Sequence, residues 1–301
     1  MDVRKIWDAA PHNAFTDLIR FRDRWFCAFR EGRAHASPDG AIRILTSDDG
    51  RAWAPIALIN SPIGDLRDPK LSTTPDGRLM LLAAAALQPP SKQRHQSLAW
   101  FSDDGRNWSE AVPIGDPNVW LWRITWHEGT AYGVGYSTAD RKFTRLYKSR
   151  DGKSFETLIE TLFERGHPNE AALTFLPNET ALCLLRRDSG EATAQLGTAR
   201  PPYIEWTWKD LGVRIGGPAL VRLPDGRLIA GVRLYDGKVR TALCRCDPEA
   251  GRLIEILTLP SRGDTSYPGL VWHDGLLWVS YYSSHEGKAS IYLARVKLPP
   301  R

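Results

Sequence analysis

Ser47-Asp48-Asp49-Gly50-Arg51-Ala52-Trp53 recurs as Ser102-Asp103-Asp104-Gly105-Arg106-Asn107-Trp108, and in weaker form as Ser149-Arg150-Asp151-Gly152-Lys153-Ser154-Phe155. Each copy lies between two β-like runs: AIRILT and APIALI, SLAWF and EAVPI, TRLYK and ETLIE. Asp-Gly between such runs is a hairpin signal, because Gly tolerates positive φ and Asp can bond its own turn backbone. The Ser and Asp side chains are suited to satisfy turn amides with the aromatic ring packed beneath. These aspartates read as structural rather than catalytic.

A longer period frames the turns. Segments that read strand, polar turn, strand begin near Asn13, Arg67, Leu121, Pro168, Pro218 and Tyr267, at intervals of 54, 54, 47, 50 and 49 residues. Six units of this size, each with about four short strands, have the period of propeller blades. The last unit ends at Val296–Leu298 after three strands, and the N-terminal VRKIW is placed to supply the fourth and close the ring. The expectation is an all-β chain, one six-bladed β-propeller domain over residues 1–301.

Composition agrees. The 301 residues are 42% hydrophobic and 25% charged, with 25 Gly, 21 Pro and 12 Trp, which excludes disordered, collagen-like and disulfide-framework chains. No apolar run approaches the roughly 20 residues of a membrane-spanning helix. The net charge of +5 is scattered, without the basic stripe of a nucleic-acid binder. Cys27, Cys183, Cys244 and Cys246 form no CxxC and read as buried free thiols. The opening MDVRKIWDAAPHN lacks the apolar core of a signal peptide, the expectation for a cytoplasmic protein or for a periplasmic or secreted one whose leader has been removed. The phosphate-binding glycine loops and the GxSxG elbow are missing.

The Ser-Asp-Asp-Gly-Arg-x-Trp signature resembles the Asp-box of the sialidase superfamily, whose members are six-bladed propellers. The resemblance spans essentially the whole chain, and the signature itself speaks to fold more than to chemistry. In a propeller the residues that open each unit converge on the central axis. Here those openings are polar: His12-Asn13, Arg67-Asp68, Trp120 to Arg123, His167 to Glu170, and Ser266-Tyr267. The second strands end in Arg30-Glu31-Gly32-Arg33, Arg186-Arg187-Asp188, Arg233 and His285-Glu286. Several Arg, a few acids and a Tyr at one mouth suit an anionic ligand.

Sialidases use a Tyr nucleophile activated by a Glu, an Asp acid/base, and three Arg that hold the sugar carboxylate. Asn169-Glu170 resembles their Asn-Glu, Arg186 and Arg233 resemble two of the Arg, and Tyr267 in Thr265-Ser266-Tyr267-Pro268 resembles the nucleophile. The chemistry suits these types. A neutral phenol is not repelled by a carboxylate at the anomeric carbon, but with a pKa of about 10 it needs a base. Arg binds a carboxylate through a planar fork. The first-blade Arg of the family is replaced by Asn13-Ala14-Phe15-Thr16-Asp17, with Arg30 or Arg67 as substitutes. Glu31 and Asp68 are the candidate acids, and Trp120 is a candidate sugar platform.

The resemblance thus implies an exo-acting glycoside hydrolase, cofactor-free, that removes a terminal acidic sugar (sialic acid or a related ulosonic or uronic acid). Two alternatives stand beside it: a lyase on uronate-containing glycans, with Tyr267 or a His such as His35 or His167 as base, and a non-catalytic glycan-binding propeller. No HExxH or close His-x-His spacing suggests a metal among the scattered His12, His35, His167 and His285.

Overall fold

The repeated turns adopt the geometry their residues favour. Ser47 Oγ accepts the Gly50 N–H at 2.8 Å, while Asp49 Oδ1 accepts those of Arg51 and Ala52 at 2.7 and 3.0 Å. Ser102 with Asp104, and Ser149 with Asp151, repeat the pattern. Trp53 and Trp108 each donate their indole N–H to the turn glycine's carbonyl. Each turn joins the third and fourth strands of a sheet. Three amide N–H groups and the Ser102 hydroxyl hold the Asp104 carboxyl at about 2, below the usual carboxylate range, so this carboxylate is charged at any working pH.

The computed structural model describes residues 1–299 and arranges 24 strands in six four-stranded antiparallel sheets, with no helix among the described residues. This is a six-bladed β-propeller. Blades one to five span 12–59, 64–114, 119–163, 168–210 and 215–258. Blade six, 265–296, takes β1 (Asp2–Trp7) as its outer strand, antiparallel to β24 (Ser290–Val296), with Asp2 paired to Arg295. The ring is therefore closed by hydrogen bonds between the two ends of the chain. That closure removes a free edge on β24.

Between blades the cores are apolar and shared. Phe26, Ile42 and Ile44 of blade one pack with Leu66, Leu81 and Trp100 of blade two. Where blade six meets blade one, Trp25 and Trp278 lie 4.3 Å apart. All four cysteines are free and buried within these cores. The turn glycines lock the interfaces. A Cβ on Gly105 would lie 2.2 Å from Phe26 of blade one, and one on Gly50 would lie 2.4 Å from Trp278 of blade six. The turn of each of these blades thus seats on the second strand of the blade before it.

A matched pair of substitutions separates this contact from the backbone cost of a left-handed residue. Gly105 (φ +73°) and Gly77 (φ +78°) share a conformation, but nothing stands within 4 Å of a Cβ at Gly77. Gly77→Ala is expected to cost about 1 kcal/mol, and Gly105→Ala about 2–4 kcal/mol, because an aromatic ring must also move. Urea unfolding of both variants measures the difference.

Candidate active site

The first strand of each blade runs along the axis, and all six are bulged near their start. The register slips between Ala14 and Asp17, Arg67 and Lys70, Leu121 and Arg123, Pro168 and Ala171, Gly216 and Ala219, and Ser266 and Gly269. Phe15, Asp68, Gly217 and Tyr267 open four of these bulges with φ of 61°, 53°, 56° and 52°. Three are followed by Pro, which has no N–H to lose from the ladder (Pro69, Pro218, Pro268). A bulge re-aims a side chain that would otherwise alternate across the sheet. Here it gathers residues from separate blades around one axis.

Tyr267 stands at the centre, buried, with its hydroxyl donating to Glu170 Oε1 at 2.5 Å. Phe15 lies 5.1 Å and Trp122 5.6 Å from its ring, both edge-on. Glu170 Oε2 accepts the Gly217 N–H at 2.7 Å and faces Arg186 Nη1 at 2.8 Å. Arg186 also reaches the Tyr267 hydroxyl at 3.2 Å, and Asp188 holds its other edge. Asp188 is fixed in turn by Asn169 at 2.7 Å. Arg233 lies over the Tyr267 ring at 5.2 Å, tied to the Thr265 carbonyl and the Tyr282 hydroxyl. Burial, then the Glu170 charge, pushes the Tyr267 phenol well above its ordinary value. Free phenolate is negligible at neutral pH.

Asp68 is buried with Oδ1 lacking any hydrogen-bond partner among the described residues. Burial lifts its carboxyl to about 6, against the pull of Arg67 and Lys70 and with a push from Glu170. Arg67 lies 5.1 Å over the Phe15 ring and 3.7 Å from Asp65, with no hydrogen bond to its guanidinium among the described residues. It is the guanidinium at this mouth with its donors open. Further along the same strands, Asp17 receives a forked pair from Arg123 at 3.1 Å, and Lys70 lies over Trp122 at 4.8 Å. Burial, then Arg123, lowers the Lys70 ammonium to about 8.

Three expectations are corrected. Arg30 is fully buried and donates to Asp65, the Ala34 carbonyl and Ser37, so it clamps the 33–40 loop and has no donor for a ligand. Glu31 accepts from the Trp7 indole at 2.5 Å and pairs with Arg43, which ties it to the outer strand of blade six and to the third strand of its own blade. Trp120 is buried, stacked on Tyr136 at 5.8 Å, and offers no open face. Arg187 turns to Asp210 and Thr193, leaving Arg186 on the axial side. His167 lies on the loop entering blade four, and His285 packs against Tyr292.

The structure also brings in residues that sequence reading passed over. Tyr136 feels the charges of Asp68 and Glu170. Tyr235 lies 4.5 Å under Arg214 and 3.5 Å from Arg233. Asp264 bonds Tyr282, His12 and His35. The available signal for Tyr136 was its pairing opposite Trp120 in adjacent strands.

This geometry belongs to a sialidase-like propeller fold. No protein-family model and no curated protein sequence matches the chain. Among solved structures it is similar to a Dyadobacter fermentans protein of unknown function (TM-score 0.84, 20% identity, 99% of each chain). It is also similar to an α-L-arabinofuranosidase of Fusarium graminearum (0.75, 14%, 98% of each). A third is the sialidase of Trypanosoma rangeli (0.72, 12%), matched over 95% of this chain but 55% of that one, so the chain spans about half of that enzyme's length. The shared feature is the fold, which in the latter two neighbours carries an arabinofuranosidase and a sialidase.

Two substitutions test the electrostatics. Asp68 binds its proton more tightly folded than unfolded, so stability falls as pH rises from about 4 to about 6 and stays lower above that. Asp68→Asn is therefore expected to stabilise the protein by ~3 kcal/mol at pH 7.5 and to leave it nearly unchanged near pH 3.5, read by thermal melts at both pH values. Arg30→Met removes the 2.7 Å partner of the buried Asp65 and leaves it only Arg67 at 3.7 Å, and is expected to destabilise by about 3–5 kcal/mol in the same assay.

Proposed function

We propose that the protein is a retaining exo-glycosidase that removes a terminal acidic sugar. The observation that carries this reading is the 2.5 Å hydrogen bond from the Tyr267 hydroxyl to Glu170, with Arg186 against both. Because the phenol is held far from ionisation, the base must take its proton as the bond to carbon forms. Tyr267 Oη attacks the anomeric carbon while its proton passes to Glu170 Oε1. Asp68, protonated below about pH 6, gives its proton to the departing glycosidic oxygen. Asp68 then accepts a proton from the water that attacks the tyrosyl-glycosyl bond, and Glu170 returns its proton to the phenol. Arg186, Arg233 and Arg67 supply the positive rim for the sugar carboxylate.

One observation favours a second reading. The Glu170 charge helps raise Asp68, so two carboxyls share the axis, as in most retaining glycosidases. In that mechanism Glu170 is the nucleophile, Asp68 the acid/base, and Tyr267 only orients Glu170. The stretch Asn13-Ala14-Phe15-Thr16-Asp17, where the resemblance implies an Arg, favours a less anionic sugar in this case.

Fluorescent turnover of 4-methylumbelliferyl N-acetylneuraminic acid, then of other ulosonides, uronides and arabinofuranosides, tests both. Under the first reading Tyr267→Phe and Glu170→Gln each lower kcat/KM by about 10²–10⁴-fold. Under the second, Glu170→Gln is equally damaging and Tyr267→Phe loses less than about tenfold. In either case kcat/KM should decline above about pH 6 as Asp68 ionises, and Asp68→Asn should lack that limb. A folded wild type that turns over none of these glycosides refutes the hydrolase assignment.

A further inference from the structure

We propose that His12, His35 and Asp264 form a binding site for one divalent transition-metal ion of the zinc class, beside the axial cluster of Tyr267 and Glu170. The three come from different places: the first residue of β2 (His12–Phe21), the loop clamped by Arg30, and the residue preceding β22 (Thr265–His273). Yet His12 Nε2 and His35 Nδ1 lie 3.0 and 2.8 Å from the same oxygen, Asp264 Oδ2, and all three ligand atoms fall within 4.8 Å of one another. Ligands of a tetrahedral ion with bonds of about 2.0–2.2 Å are separated by about 3.3 Å, so the two His–Asp separations need shifts of a few tenths of an ångström, and the two imidazole nitrogens, within 4.8 Å of each other, need at most about 1.5 Å.

The surroundings support ligation. Asp264 Oδ1 accepts from the Tyr282 hydroxyl at 2.6 Å and faces Arg233 at 3.4 Å, which orients the carboxylate and leaves Oδ2 to the imidazoles. The imidazoles meet edge-to-face at 76° rather than stacking, as rings aimed at a common point do. His35 is more exposed than a structural ligand needs to be, at 53% of its side chain, but Arg30 holds its loop through the carbonyls of Ala34 and Ser37. A buried arginine thus preorganises a solvent-facing ligand. Two nitrogens and one carboxylate suit zinc, cobalt or nickel and disfavour magnesium and calcium, which select oxygen.

Three protein ligands leave an open position, the arrangement of catalytic rather than structural zinc sites. The cluster lies beside the candidate active site: Phe15 touches His35 on one side and Tyr267 on the other, each at 5.1 Å between ring centres. An ion there would offer an additional positive centre to an oxygen of the bound sugar. The local-spacing signals used on the sequence could not find it, because His35 and Asp264 are 229 residues apart.

The test uses tag-free protein stripped with a chelator, titrated with zinc chloride, passed through gel filtration and assayed by mass spectrometry of the metal. Wild type should retain about one zinc per chain, and a cobalt(II)-loaded sample should show the visible bands of a tetrahedral site. His35→Ala, at an exposed position, and His12→Gln should each weaken binding by about a hundredfold or more, with circular dichroism confirming the fold. Tyr267→Phe should bind zinc as wild type does, which keeps the outcome independent of the hydrolase reading. Wild type that retains no zinc, or a His12→Gln/His35→Ala protein that retains as much as wild type, overturns the proposal and leaves the three as a hydrogen-bonded His–Asp–His relay.

Discussion

Every inner strand must break its ladder to aim a side chain along the axis instead of across its sheet. The six bulges do this, four of them opening with a left-handed residue, at about 1–3 kcal/mol for each non-glycine case. The shared apolar interfaces between blades and the closure of β1 on β24 hold those strands in place against that strain. Gly217 shows how tight the constraint is. A Cβ there would come within 2.8 Å of the Tyr267 ring, and its N–H is already donated to Glu170. Blade five gives no side chain at this position, and the space lets the phenol of blade six meet the carboxylate of blade four.

Once gathered, the polar groups satisfy one another. Glu170 accepts from Tyr267 and Gly217 and forms an ion pair with Arg186, and Arg186 is steadied by Asp188, which Asn169 fixes in turn. Buried polar atoms without partners are costly, so such a network is stable only when complete. Asp68 departs from this, buried with one oxygen unpartnered among the described residues and its carboxyl raised to about 6, and Ser266 Oγ and Arg123 Nε are likewise unpartnered. An acid held in that state costs stability and is suited to moving a proton.

Legibility from sequence differed by scale. The Ser-Asp-Asp-Gly turns and the interval of about 50 residues encode the blades directly, because turn chemistry and strand alternation are local. The same register put Glu170, Asp68 and Tyr267 at blade openings and Arg186 and Arg233 at second-strand ends. Arg30, Glu31 and Trp120 looked equivalent by that rule. Their side chains are instead taken up by Asp65 and the 33–40 loop, by Trp7 and Arg43, and by Tyr136. A position along a strand says which end a residue occupies, not which partner claims it.

Local chemistry in the chain therefore decided the number of blades, their order and the axial face on which polar residues collect. Only the closed ring decided which of those residues meet. The Tyr267 hydroxyl and Glu170 are 97 residues apart, and Asp264 lies 252 residues from His12, so both contacts depend on the rotation of one blade against another. That rotation is set by interdigitated rings such as Trp25 on Trp278 and by the bulges that tilt each inner strand, which are properties of packing rather than of any short stretch of sequence.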